Sequence, residues 1–274
     1  MNIGWFYRYA PDNLGYPNVH GPIDYIPFWT CSSHDVDWML TRVDWDYAGY
    51  FMWINEPNTG PQFPGGCHEL TDWNLAADFY IQSRAAYPNA KFIGPHTYHG
   101  NNTAHQQAMN WVIQWREAVR NHPLGNGQYP DVTGYGIHPY HTDRDQNLFY
   151  VDDYYAHMIN WGEGDKELWV TEFTYCNAAN IAEDIQYTVN EFENRPYVDR
   201  YAYWVDYRVT PVPSPTPTPT ATPGANEDSI NTTSPTVPLG WCIDPGRTIS
   251  LFDPAVPGYN TLTAAGEAYR QVGR

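Results

Sequence analysis

Tyr50-Phe51-Met52-Trp53-Ile54-Asn55-Glu56-Pro57 is an apolar run that closes on an amide, a carboxylate and a proline. Its first half reads as a buried strand, and Pro57, which has no N–H to give a ladder, stops it. Leu168-Trp169-Val170-Thr171-Glu172-Phe173 repeats the design, an apolar strand that delivers a carboxylate near its C-terminal end. The two glutamates are 172 − 56 = 116 residues apart. At roughly 30–40 residues per βα unit, Glu172 falls on the third strand after the one carrying Glu56. In an open sheet, strand ends three apart lie ~14 Å from each other, whereas around a closed barrel they converge over its mouth.

Further strands are predicted near residues 3–9, 24–29, 91–96, 133–140 and 200–205, beside 48–54 and 167–173. Helical periodicity lies between several of them. Thr71 is expected to cap a helix carrying Leu75, Phe79 and Ile81, and Thr103 one carrying Met109, Val112, Trp115 and Val119 that stops near His122-Pro123. Two more are expected over 152–161 and 181–192. Strands alternating with helices mean parallel βαβ units, in a doubly wound sheet or a barrel. The chain's 274 residues suffice for one (β/α)₈ barrel, which needs ~250.

Residues 209–240 break the pattern with PVPSPTPTPTATPGANEDS followed by NTTSPTVP, a Pro/Thr tract that favours extended polyproline conformation. Only 241–274 follow, enough for a loop and one helix (261–272). The expected organisation is therefore a barrel over 1–208, a surface insertion over 209–240, and the last loop and closing helix over 241–274. Such an excursion costs little, because loop-closure entropy grows only logarithmically with length.

Lys and Arg number 14 against 31 Asp and Glu, a net charge of −17, which disfavours nucleic acid and anionic membrane surfaces as partners. No run approaches the ~18 apolar residues of a membrane span. Met1 leads directly into Ile3-Gly4-Trp5-Phe6-Tyr7, without a basic start or a small-residue cleavage site. Phe, Trp and Tyr make up 16% of the residues, including 12 Trp and 23 Tyr. Most belong in a core, but such rings also pack the C–H faces of sugars while their polar edges hydrogen-bond. The four cysteines, Cys31, Cys67, Cys176 and Cys242, form no CxxC pair and each follows a predicted strand. Pairing 31–67 and 176–242 would pin neighbouring loops and imply an oxidising, extracellular compartment; four free thiols are the alternative.

Two carboxylates on one barrel face suit glycosidic hydrolysis, one protonating the leaving oxygen while the other attacks the anomeric carbon. For either glutamate alone the plain alternative is a surface ion pair. Asn55-Glu56-Pro57 together with Glu172 resembles the clan A glycoside hydrolases, and within them glycoside hydrolase family 128, a group of endo-β-1,3-glucanases. Trp5 and Tyr7 resemble that family's WxY strand, Ile26-Pro27-Phe28-Trp29 its VPMLW strand, and His138-Pro139-Tyr140 its HWY. Trp169-Val170-Thr171-Glu172-Phe173 matches WVTEF, Arg200-Tyr201-Ala202-Tyr203-Trp204 resembles RYAWF, and Leu262-Thr263, Gly266 and Ala268-Tyr269 resemble LTxxGxAY. Arg8-Tyr9 departs from the family's Asn-Trp. By this matching the chain's first strand is the family's second, so a TIM-type barrel lacking a recognisable first strand is expected.

The resemblance implies a retaining β-glucan hydrolase, most simply β-1,3-specific, with Glu56 as acid/base and Glu172 as nucleophile. Asn55 would hold the sugar 2-OH. His138 and Tyr140 are candidates to hydrogen-bond Glu172, and Trp204, Trp5, Tyr7 and Trp29 to contact the sugar. The expected partner is a polysaccharide or oligosaccharide, with no cofactor and no metal, and the protein is expected to act as a monomer. Three alternatives remain open: another β-linked substrate of the same clan, a non-catalytic glucan-binding relative, and a metal-dependent hydrolase. The last rests on two H-x-x-H runs, His96-Thr97-Tyr98-His99 and His138-Pro139-Tyr140-His141.

Overall fold

The structure, a computed structural model, describes residues 5–8, 24–30, 36–60, 66–175 and 181–203; for 5–8, 24, 25 and 181 it describes the backbone alone. Seven strands are β1 (Trp5–Arg8), β2 (Asp24–Trp29), β3 (Tyr50–Trp53), β4 (Lys91–His99), β5 (Gly134–Pro139), β6 (Glu167–Phe173) and β7 (Val198–Tyr203). They pair in sequence order and every pair is parallel. Between them run α1 (Val36–Leu40), α2 (Trp73–Ala86), α3 (Asn102–Asn121), α4 (Arg144–Asn160) and α5 (Ile181–Glu193).

The sheet curls. The Tyr50 hydroxyl on β3 donates to Glu167 Oε1 on β6 at 2.6 Å, and its ring lies 5.1 Å from that of Trp169. A flat sheet would hold these strands ~14 Å apart. The architecture is that of a (β/α)₈ TIM-type barrel, with seven strands among the described residues.

Alternation along the strands builds two apolar layers. Ile26, Phe28, Met52, Ile93 and Trp169 fill the interior of the curl. Phe51, Trp53, Tyr135, Leu168 and Val170 face outward into a larger layer shared with the helices, where Trp115 of α3 stacks on Trp53 at 5.4 Å. Each large side chain buried this way contributes roughly 1.5–3 kcal/mol.

Two caps differ from expectation. Asp72, not Thr71, caps α2 by accepting from Asn74 N–H, and Asn101, not Thr103, caps α3 by accepting from Ala104 N–H. In each case a short Asx side chain close by, one residue after Thr71 and two before Thr103, reaches the free amides, while the Thr71 hydroxyl bonds back to the His68 carbonyl. Helix α4 begins at Arg144, eight residues before the expected start at 152, on the Asp143 cap. The tract 209–240, the segment 241–274, Trp204, Cys31, Cys176 and Cys242 lie outside the described residues.

Candidate active site

Backbone geometry at the end of β3 aims Glu56. Ile54 and Glu56 both adopt left-handed backbone, at φ 48° and 46°. That region is costly for a β-branched residue, and such strain persists where the surroundings over-determine it. Here Ile54 N–H donates to the Trp29 carbonyl, Asn55 bridges to His96, and Glu56 N–H donates to the His96 carbonyl at 2.7 Å. Thr59 caps the turn through its hydroxyl to the Glu56 carbonyl. Asn58 clamps the loop to β4, accepting from Tyr98 N–H and donating to the Tyr98 carbonyl, both at 2.9 Å.

Glu172 comes from β6. Its carboxylate accepts from the Tyr140 hydroxyl, which follows β5, and only 2% of the residue is exposed. Glu56 is 9% exposed. An oxygen of each glutamate and a ring nitrogen of His138 all lie within 4.8 Å of one another. His138 Nδ1 sits 2.9 Å from Glu56 Oε1 and 3.6 Å from Glu172 Oε2. The sequence-based pair thus meets, and both partners proposed for Glu172 sit against it, with His138 nearer to Glu56.

Behind them His96 is fully buried, and that burial, with the neighbouring His138 adding to the effect, holds its imidazole well below the usual range. His96, Thr171, Tyr98 and Asn58 belong to the site; sequence reasoning gave the last three no role in it and named His96 only as a possible metal ligand. The spacing of the trio would admit a cation by distance alone. However, both ring nitrogens of His138 are engaged, by Glu56 and by Thr171, and the Tyr140 hydroxyl already occupies Glu172, so no metal ligand is assigned. The H-x-x-H runs do not converge. His96 faces the barrel axis, whereas His99 faces the helices and contacts His105 at 2.7 Å; His141 accepts from Asp143 N–H in the loop.

Asn55 is 3% exposed beside Glu56. Trp29 does not line the site. It is 0% exposed and packs on Phe51, Phe79 and Tyr87, because its position on β2 points it into the helix layer. The backbone of Trp5 and Tyr7 runs in β1 beside β2.

No sequence among the curated proteins matches the chain significantly. Solved structures with the same fold include a family 128 subgroup I endo-β-1,3-glucanase from Amycolatopsis mediterranei bound to laminaritriose, 17% identical with a TM-score of 0.58 over 98% of this chain and 90% of that one. Others are a subgroup II endo-β-1,3-glucanase from Pseudomonas viridiflava (19%, 0.61, 97% and 88%) and a subgroup III curdlan-specific exo-β-1,3-glucanase from Blastomyces gilchristii with glucose (17%, 0.60, 97% and 88%). Residues 1–216 match the family described as glycosyl hydrolase catalytic core. With that match over most of its length and two carboxylates meeting over the barrel mouth, the chain belongs to the glycosyl hydrolase catalytic core family and is a glycoside hydrolase.

Proposed function

We propose that the protein hydrolyses β-1,3-glucan with retention of anomeric configuration. The observation that carries this reading is the approach of the Glu56 and Glu172 carboxylates to within 4.8 Å. Retaining pairs sit ~5–5.5 Å apart, and inverting pairs need ~6.5–9.5 Å to admit a water between them. The linkage is supported by the neighbours, which are β-1,3-glucanases, two of them with laminaritriose or glucose bound.

Glu172 attacks the anomeric carbon while Glu56 gives its proton to the glycosidic oxygen, so the old C–O bond breaks as a glycosyl ester forms. Glu56 then removes a proton from water, which attacks the same carbon and frees Glu172. Asn55 holds the sugar 2-OH, a contact that strengthens in the transition state. Tyr140 keeps Glu172 aimed. Trp204, Trp5 and Tyr7 are the candidates for stacking on the glucan. The enzyme works as a monomer, extracellularly, with 209–240 as an insertion and 241–274 closing the barrel. Cys67 is not a free thiol, which supports its pairing with Cys31; Cys176 and Cys242 would form the second disulfide.

The test is the product profile on laminari-, cello- and manno-oligosaccharides, with the first-formed anomer read by NMR. β-1,3 cleavage giving the β-anomer, a 2-deoxy-2-fluoroglycoside label on Glu172, and no turnover by Glu172→Ala are expected. The α-anomer first, or a label elsewhere, would overturn the mechanism; binding without turnover by the wild type would make the protein a glucan-binding relative.

A further inference from the structure

A buried hydrogen-bond chain runs from the Ile93 carbonyl on β4 to the Glu56 carboxylate, and the protons along it can be assigned in order. The carbonyl can only accept, so His96 Nε2, 3.0 Å away, carries a hydrogen. His96 is fully buried and held neutral, so its Nδ1 has a lone pair and accepts the Thr171 hydroxyl at 2.8 Å. With that hydrogen committed, Thr171 Oγ1 must accept its other contact, from His138 Nε2–H at 2.9 Å. The remaining nitrogen, His138 Nδ1, faces Glu56 Oε1 at 2.9 Å. Without a proton on this line, two lone pairs would oppose each other at hydrogen-bond distance in a buried site.

We propose that Thr171 and His96 are positioning residues that hold His138 with a hydrogen on both ring nitrogens, so that its Nδ1–H is donated to Glu56 Oε1 and Glu56 Oε2 alone exchanges the catalytic proton. This rests on the acid/base role assigned to Glu56 above. In the first half-reaction the proton on Oε2 passes to the glycosidic oxygen, and in the second a water proton returns to Oε2. The proton on Nδ1 stays on the ring throughout. The ring then faces one negative charge at each stage: Glu172, 3.6 Å from Nδ1, before attack, and Glu56 once Glu172 is esterified. The titratable groups around His138 are Glu56 after β3, His96 on β4, Tyr140 beyond β5 and Glu172 on β6, with His99 on the far face of β4.

The direct test is ¹⁵N NMR of the histidine rings in the wild-type enzyme, assigned through His96→Gln and His138→Gln. His96 is expected as the neutral Nε2–H tautomer and His138 with both ring nitrogens protonated. A bare nitrogen on His138, or an Nδ1–H on His96, would overturn the assignment whether or not the enzyme cleaves glucan. In the kinetic arm, Thr171→Val removes the hydroxyl at nearly constant volume. It should lower kcat by about 10- to 100-fold with KM little changed, and move the His138 Nε2–H resonance, because that hydrogen loses its acceptor. Thr171→Ser should restore both. A loss of kcat with an unmoved His138 resonance in Thr171→Val, or failure of the serine to restore it, would refute the relay.

Discussion

Gly136 on β5 offers the sharpest test of how the site is held, because the space it leaves is occupied by a single ring. A Cβ built there would stand 1.9 Å from His96 Nδ1 and 2.5 Å from both Cε1 and Cγ. No real Cβ tolerates such contacts, so Gly136→Ala must move the imidazole. The ring has nowhere free to go: it lies 5.0 Å from Phe28 and 5.8 Å from His138, centroid to centroid, and its two nitrogens are held by Ile93 and Thr171. Overpacking a tight site costs about 1–3 kcal/mol, and a buried polar group that loses its partner costs about another 1–3. The alanine variant should therefore lose about 2–6 kcal/mol of stability, or very roughly 4–24 °C in melting temperature for a chain of this size. Urea unfolding at constant m-value measures the loss, and turnover on laminari-oligosaccharides should fall with it, since the displaced ring drags Thr171 and His138 out of line. An unchanged midpoint with unchanged activity would mean that His96 is free to swing, and that the packing described behind Glu56 does not hold it.

Tyr140→Phe removes the hydroxyl that satisfies and aims the buried Glu172 carboxylate; a lost bond to a charged group, about 1.5–3 kcal/mol, predicts about a 10- to 100-fold drop in kcat with KM little changed. Stability should also fall in mild acid. Burial lowers the basicity of His96, His99 and His105, so each stays neutral in the fold while its unfolded counterpart protonates near the ordinary histidine value. The unfolded chain then binds more protons, and the stabilisation present above the unfolded value of about 6.5 is lost as pH falls towards the folded values, by up to about 1.4 kcal/mol per pH unit per ring. Urea midpoints between pH 8 and 5 measure it; a flat profile would mean that the three rings are charged or solvated in the fold.

The order of the strands, their parallel pairing and the two glutamates were legible because each rests on a local signal: an apolar run, a proline stop, a carboxylate at the end. Spacing alone put Glu172 three strands after Glu56, and the meeting of β3 with β6 follows from it. What alternation could not give is the direction of the side chains. Strict period-two reading of β6 puts Leu168, Val170 and Glu172 on one face, and the first two point into the helix layer. By the same reading His99, not His96, would join Ile93 on the inner face of β4. Trp29 was open to both readings in the sequence and proved to be core, since an indole at a strand end looks alike whichever side it faces.

Irregular pairing resolves the direction. On β6, Val170 pairs with Tyr201 but Phe173 with Tyr203, three residues against two, and the added residue turns both Thr171 and Glu172 to the axis while returning Phe173 to the outer layer. On β4, Ile93 pairs with Gly134 but His96 with Gly136, so His96 and Tyr98 face inward and Thr97 and His99 outward. Gly94, at φ 139° with its missing Cβ only 2.2 Å from the Trp53 carbonyl, is the residue that lets β4 shift there. The left-handed turns at Ile54 and Glu56 re-aim the end of β3 in the same way. Three strands therefore depart from regular geometry within a residue or two of the site, and each departure brings in a group of the buried cluster: Glu56, His96, and Thr171 with Glu172. A regular strand presents only every second residue to the barrel mouth, too sparsely to seat the Glu172 carboxylate directly beside the Thr171 hydroxyl that His138 contacts. The strain near the glutamates is thus the means by which adjacent residues come to share one face.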